Sequence, residues 1–383
     1  MRAASLLAVA AFVAPSSFAQ DKAVASEVLT VNKGDRIVLL GAGMGSRMNH
    51  FGHFETELFL RFPVSQISIR NMCDEGNTPG FRPHPGRNHD GQFAFPGAKE
   101  LVHKKYQINT KPAGHFETAD QWLTRLKADT VIAFFGFNSS FEGPADVERF
   151  KKEFEAFMVH TQGQKYNGKS APQLALVSPS ALQDLSATYG IPNGAAQNAN
   201  LALYTEAMRD IAARNRVLFV DTFAPSKAWY QDGKEYTTDG ALLNDRGYRK
   251  LAPLLAESIF GTGGYDSTKR EAVHAAVTEK NWAWLNDYKI PNGVHVYGRR
   301  YKPFGPGNYP FELKKTREMT EIRDRAIWSA TAGENFDLAA ADAVTSGLPP
   351  VKSNYRPGGK NGNVAYNKGA VSPTPLKVAD GYM

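Results

Sequence analysis

Arg36-Ile37-Val38-Leu39-Leu40-Gly41-Ala42-Gly43 is a β-branched, apolar run that stops on a glycine-rich turn. Such a run predicts a strand buried on both faces, and a helix is expected directly after the turn. From about Met44 to Phe62, Phe51, Phe54, Leu58 and Phe62 recur near helical spacing. The same alternation continues along the chain. Gln66–Ile69, Thr130–Phe135, Leu174–Val177 and Val217–Val220 read as strands, and the segments containing Trp122–Leu126, Val147–Met158, Leu201–Ala213 and Arg246–Ile259 read as amphipathic helices. Apolar strands alternating with amphipathic helices predict an α/β fold, a parallel sheet with helices on both faces. Ligands of such folds sit at the carboxyl ends of the strands. The loops starting at Gly41, Asn71, Gly136, Ser178 and Asp221 are therefore the places to look for a site.

Composition narrows the class. The chain has 383 residues, of which 42% are hydrophobic and 22% charged, with 34 Gly, 22 Pro and a single cysteine, Cys73. This excludes a wholly disordered chain, a collagen and a coiled coil. One cysteine also excludes an internal disulfide, a Cys-based zinc site and the C-x-x-C-H haem attachment motif within this sequence. Arg2, the apolar run Ala3–Val13 and the small-x-small triplet Ser17-Phe18-Ala19 read as a signal peptide cut after Ala19. The apolar run is shorter than the roughly 20 residues that span a bilayer, and no later segment is long and apolar enough. A soluble protein, secreted or periplasmic, is expected. Removing residues 1–19 takes away Arg2 and no acid, so the formal charge of +7 becomes +6.

The domain boundaries expected are a signal peptide at 1–19, a linker at 20–34, an α/β domain at 35–262, a helical, aromatic-rich extension at 263–335 and a linker or disordered tail at 336–383. The extension is read from Arg270–Tyr288 with Trp282, Trp284 and Leu285, the Pro/Gly-punctuated stretch Ile290–Pro310, and a charged helix from about Phe311 to Ala330. Its aromatic content needs a surface to pack on. The tail carries Lys352, Arg356, Lys360, Lys368 and Lys377 against Asp380 and reads as a solvated basic segment, with weak binding to an acidic polymer as the sharper alternative. No base-reading motif and no basic helix with interleaved aromatics is present, so nucleic acid is set aside as a partner.

Four segments resemble, in order, the sequence blocks of the SGNH/GDSL hydrolases. The third block, Phe135-Gly136-Phe137-Asn138-Ser139, matches the family's G-x-N-D with Asn138 as its asparagine. Asn71 through Gly76-Asn77-Thr78 resembles the second block, with Gly76 as the family glycine. Leu40-Gly41-Ala42-Gly43 resembles the first, so Gly43 stands at the nucleophilic serine. Asp239-Gly240-Ala241-Leu242-Leu243-Asn244 resembles D-G-x-H-L-N, with Leu242 in place of the histidine. The resemblance covers about residues 35–262. It implies a flavodoxin-like three-layer α/β/α sandwich, ester hydrolysis, in particular deacylation of carbohydrate, and no metal or organic cofactor. Phe51-Gly52-His53-Phe54-Glu55 and Asn292-Gly293-Val294-His295-Val296-Tyr297-Gly298 further resemble a secreted bacterial subfamily that forms the N-terminal module of larger propeller and haem proteins, which implies docking to another secreted domain or protein.

In the family the serine attacks an ester carbonyl, the histidine takes its proton, the aspartate orients the histidine, and backbone N–H groups with the Asn amide hold the oxyanion. The resemblance assigns the oxyanion donors to Gly43, Gly76 and Asn138, and the orienting acid to Asp239. Glycine and leucine at 43 and 242 cannot attack or transfer a proton. Two substitutes are considered: Ser46, near the start of the first helix, as nucleophile, and His295 in Asn292-Gly293-Val294-His295 as base or ligand. Their bland readings are a first-turn serine and a structural histidine. His50 and His53, three apart, fit a metal pair poorly without a carboxylate. Arg82, His84, Arg87, His89 and Asp90 lie in the long loop Asn71–Gly114, where solvation is the expectation and contact with an anionic or sugar ligand the alternative. Asp239 also reads as a turn former with Gly240, and Cys73 as a buried thiol. The functions in view are thus an ester hydrolase, a catalytically silent module that binds carbohydrate or a partner, and an atypical hydrolase using Ser46 and His295.

Overall fold

The computed structural model describes residues 28–84, 87, 89–106, 116–289 and 309–348. The signal-peptide segment, His295 and the basic residues from 352 onward lie outside the described residues. Five strands form one parallel sheet: β1 (Arg36–Gly41), β2 (Ser68–Asn71), β3 (Thr130–Phe134), β4 (Gln173–Val177) and β5 (Leu218–Val220), in the order β2-β1-β3-β4-β5. This is the flavodoxin-like doubly wound order, with its switch point between β1 and β3.

Residues of each strand alternate between two cores. Val38, Leu40, Val131, Ala133, Leu174 and Leu176 face one helical layer. It contains α3 (Ala119–Leu126), α4 (Val147–Gln162) and α5 (Ala195–Arg214). Ile37, Leu39, Ile132, Phe134, Ala175 and Val177 face the other. There α1 (Gly43–Phe51), α2 (His53–Arg61) and α6 (Asp245–Phe260) pack. The result is the expected three-layer α/β/α sandwich.

The helix read from Met44 to Phe62 is two helices. Gly52 sits between them at φ 63°, in the left-handed region that ends α1 and starts α2. The bend turns the second half inward, so that His53 through Leu60 are all buried. Gly41 is a second position that requires glycine. Its φ is 133°, and a Cβ there would stand 2.1 Å from the Phe134 carbonyl oxygen on β3.

After α6 the chain forms α7 (Arg270–Tyr288) and α8 (Tyr309–Ala332). These helices cover β2, the strand at the edge of the sheet. Trp328 Nε1 donates to the Ile67 carbonyl at 2.9 Å, Lys280 Nζ to that of Ile69 at 3.2 Å, and Trp284 Nε1 to that of Asn71 at 2.7 Å. Alternate carbonyls along the outer side of an edge strand are thus satisfied by side chains in place of a sixth strand. Two buried ion pairs lie at the same seam, Arg70–Asp324 at 2.5 Å and Lys280–Glu55. Buried charges require such pairing. A short helix, Leu338–Ala343, falls within the stretch expected as tail, and its Asp342 is 3.0 Å from Arg323 of α8.

Candidate functional site

A cleft of about 140 Å³ opens at the carboxyl ends of β1, β3 and β4. Its lining comes from the loops singled out in the sequence: Ala42, Gly43 and Met44 after β1, Glu75 after β2, Phe137 and Asn138 after β3, Pro179 and Ser180 after β4, and Ala241, Leu242, Leu243 and Tyr248 around the start of α6. Phe134 and Phe135 also line it. The Tyr248 hydroxyl donates to the Met44 carbonyl at 2.8 Å and ties α6 to α1. Burial raises the pKa of that phenol, so it stays protonated.

Of the residues aligned with the family blocks, Gly43 and Leu242 come together here. A Cβ on Gly43 would lie 3.9 Å from Leu242 Cδ2 and 3.9 Å from Glu75 Cγ. The two positions therefore face each other, occupied by a hydrogen and an isobutyl group. Asp239 does not reach across. It is exposed, and its Oδ1 accepts the N–H groups of Ala241 at 2.9 Å and Leu242 at 2.7 Å, which makes it the turn former. Gly76 is exposed beside the cleft, and its nearest neighbour for an added Cβ is Pro83 at 3.7 Å.

Asn138 stands at the rim with its amide already committed. Nδ2 donates to the Glu75 carbonyl at 2.7 Å and to the Asn77 carbonyl at 2.9 Å. Both N–H groups of an amide nitrogen are used by two such bonds. The side chain thus pins the loop carrying Glu75.

Ser46 lies outside the cleft lining. It is 2% exposed on α1, and its hydroxyl donates to Glu75 Oε1 at 2.8 Å while accepting from Lys289 Nζ at 2.6 Å. Lys289, at the end of α7, also approaches Asp74 at 3.3 Å and Glu75 at 3.7 Å. Burial favours the neutral form of both carboxyls, and it raises the Asp74 pKa. For Glu75 that effect is outweighed by the hydrogen bond from Asp74, the Lys289 charge and the Ser46 hydroxyl, which together bring its pKa down to about 2. A base for serine needs a pKa near the working pH, and a carboxylate held so low is a poor one.

Three of the long loop's basic residues are not solvated. Arg82, His84 and Arg87 are all buried. Arg82 sits over the Phe135 and Phe157 rings, and His84 stacks on Phe116 with centroids 3.6 Å apart. His84 Nε2–H donates to the Tyr288 carbonyl at 3.2 Å, and burial brings its pKa down to about 3. His89 and Asp90 are at the surface, 3.3 Å apart. His53 pairs with Asp245 at 2.7 Å, away from His50. Cys73 is buried, which pushes its thiol pKa up. Among the described residues no group of three or more His, Cys, Asp or Glu side chains is arranged to hold a metal, and no helix is long and apolar enough to cross a membrane.

Sequence reasoning passed over Glu75, Lys289 and Ser180. The adjacent acids Asp74-Glu75 inside the second block were the available signal. Lys289 carried none, because its contacts span more than two hundred residues of chain.

No family model and no curated protein matches the chain. Solved structures do. A GDSL-like lipase candidate of Parabacteroides merdae gives a TM-score of 0.42 at 15% identity, covering 61% of this chain and 99% of its own. An acetyl-xylooligosaccharide esterase of Geobacillus gives 0.42 at 13%, covering 62% and 100%. A gut microbial diltiazem-metabolizing enzyme gives 0.42 at 16%, covering 61% of this chain and 48% of its own.

Proposed function

We propose that this chain is an SGNH-hydrolase-like domain whose acyl-transfer centre is silent and whose cleft is kept for binding. The observation that carries the reading is the facing pair Gly43 and Leu242, which puts no nucleophile and no base at the point where they belong. Two further features support it. The Asn138 amide is closed off by two backbone carbonyls. Among the described residues lining the cleft, the titratable groups are Glu75 and Tyr248, one an ionised carboxylate and the other a protonated phenol. Removing nucleophile and base from a triad leaves only about 10³–10⁴-fold catalysis over water, and that residue depends on an intact oxyanion hole. The chain is further read as exported after cleavage at Ala19, with 263–335 as a helical, aromatic-rich extension.

Initial rates with p-nitrophenyl acetate test the reading. The wild type and Ser46→Ala are expected to match the buffer rate. Wild-type turnover that Ser46→Ala abolishes would establish the atypical hydrolase instead and retire the silent centre.

A further inference from the structure

We propose that the cleft has reversed its charge preference and takes a small organic ammonium ion with an apolar body. The inference rests on the silent-cleft reading and names the ligand class. An acyl-transfer site directs N–H donors at developing negative charge. Here the two N–H groups of Asn138 point at the Glu75 and Asn77 carbonyls, and the charged group on the rim is the Glu75 carboxylate.

Two observations converge. First, the lining is aromatic and aliphatic: Phe134, Phe135, Phe137, Tyr248, Met44 and Leu242. Aromatic walls attract cations through the ring quadrupole, and desolvated sites gain most. Second, Glu75 reaches the place of the missing serine, with Cγ 3.9 Å from the Cβ position of Gly43. Its oxygens are steadied at the rim by Ser46 at 2.8 Å and Lys289 at 3.7 Å, and its side chain is 63% exposed. Arg47 lies 5.6 Å from the Phe51 ring centroid and also bonds the Tyr248 phenol, without itself lining the cleft. A volume of about 140 Å³ accommodates a trimethylammonium group on a short stem, close to the roughly 150 Å³ of cavities that hold benzene.

Choline and its neutral isostere 3,3-dimethylbutan-1-ol are the probes, titrated against the full chain by saturation-transfer NMR. Choline is expected to bind about tenfold more tightly. Glu75→Gln should erase the difference while leaving the neutral alcohol unchanged, and raised salt should weaken choline alone. Leu242→Trp, which fills the cleft, should abolish binding of both. Equal affinities, no binding of either probe, or a choline affinity untouched by Glu75→Gln would overturn the proposal. Ester turnover by the wild type is a separate readout: it retires the silent centre and leaves the probe comparison to stand or fall by itself.

Discussion

Leu242 Cδ2 stands 3.9 Å from the point where a side chain on Gly43 would begin. The two residues come from opposite ends of the domain, after β1 and before α6, and the fold brings them together. Gly43 opens α1, and its backbone is outside the left-handed region, so a larger residue is tolerated there. The double variant Gly43→Ser/Leu242→His is therefore expected to hydrolyse p-nitrophenyl acetate at least about tenfold faster than the wild type, with neither single variant doing so. The gain stays small because an oxyanion donor missing from its place costs about 100- to 1,000-fold. Indistinguishable rates for the double variant and the wild type would show that the facing geometry is not that of acyl transfer.

Asn138→Ala removes two side-chain hydrogen bonds that hold the Glu75–Asn77 loop. At roughly 0.5–1.5 kcal/mol each, the expected loss is about 1–3 kcal/mol in urea unfolding. A midpoint unchanged from the wild type would mean that the loop is fixed by other contacts.

His84 sets a pH dependence. Its folded pKa is about 3 against an ordinary 6.5, and the cause is burial. Between these values the unfolded chain takes up a proton that the folded chain refuses, so stability falls as pH drops from about 6.5 to about 3. The slope from one such group is at most about 1.4 kcal/mol per pH unit. His84→Phe, which keeps a ring on Phe116, should flatten the denaturation midpoint over that window. An unaltered slope would sink the assignment.

Lys280→Met leaves Glu55 buried without its partner, and breaking a buried pair from one side costs about 3–5 kcal/mol. Lys280→Met/Glu55→Leu removes both charges and should regain most of that loss. A double variant no more stable than the single, by urea unfolding, would show that the pair is not coupled.

The strands were legible because each is a short apolar run closed by a turn, and Thr130–Phe134 and Gln173–Val177 fall where the sequence puts them. Arg270–Tyr288 likewise forms the helix read from its pattern. The break at Gly52 was hidden because the apolar spacing runs through it, and only the backbone angle shows the bend. The burial of Arg82, His84 and Arg87 was hidden for a different reason. Composition marks a loop as polar, but Phe135, Phe157 and Phe116, which cover these side chains, come from other parts of the chain. The cleft's location followed from the strand ends. Its rim charge did not, because Glu75 acquires its environment from Ser46 and from Lys289 at the far end of α7.

The row of side-chain donors on β2 bears on how copies of this chain meet. With Ile67, Ile69 and Asn71 already answered by Trp328, Lys280 and Trp284, that flank offers no docking ladder to a neighbouring molecule. Sheet extension from one molecule into the next is closed off on this side for as long as α7 and α8 stay in place.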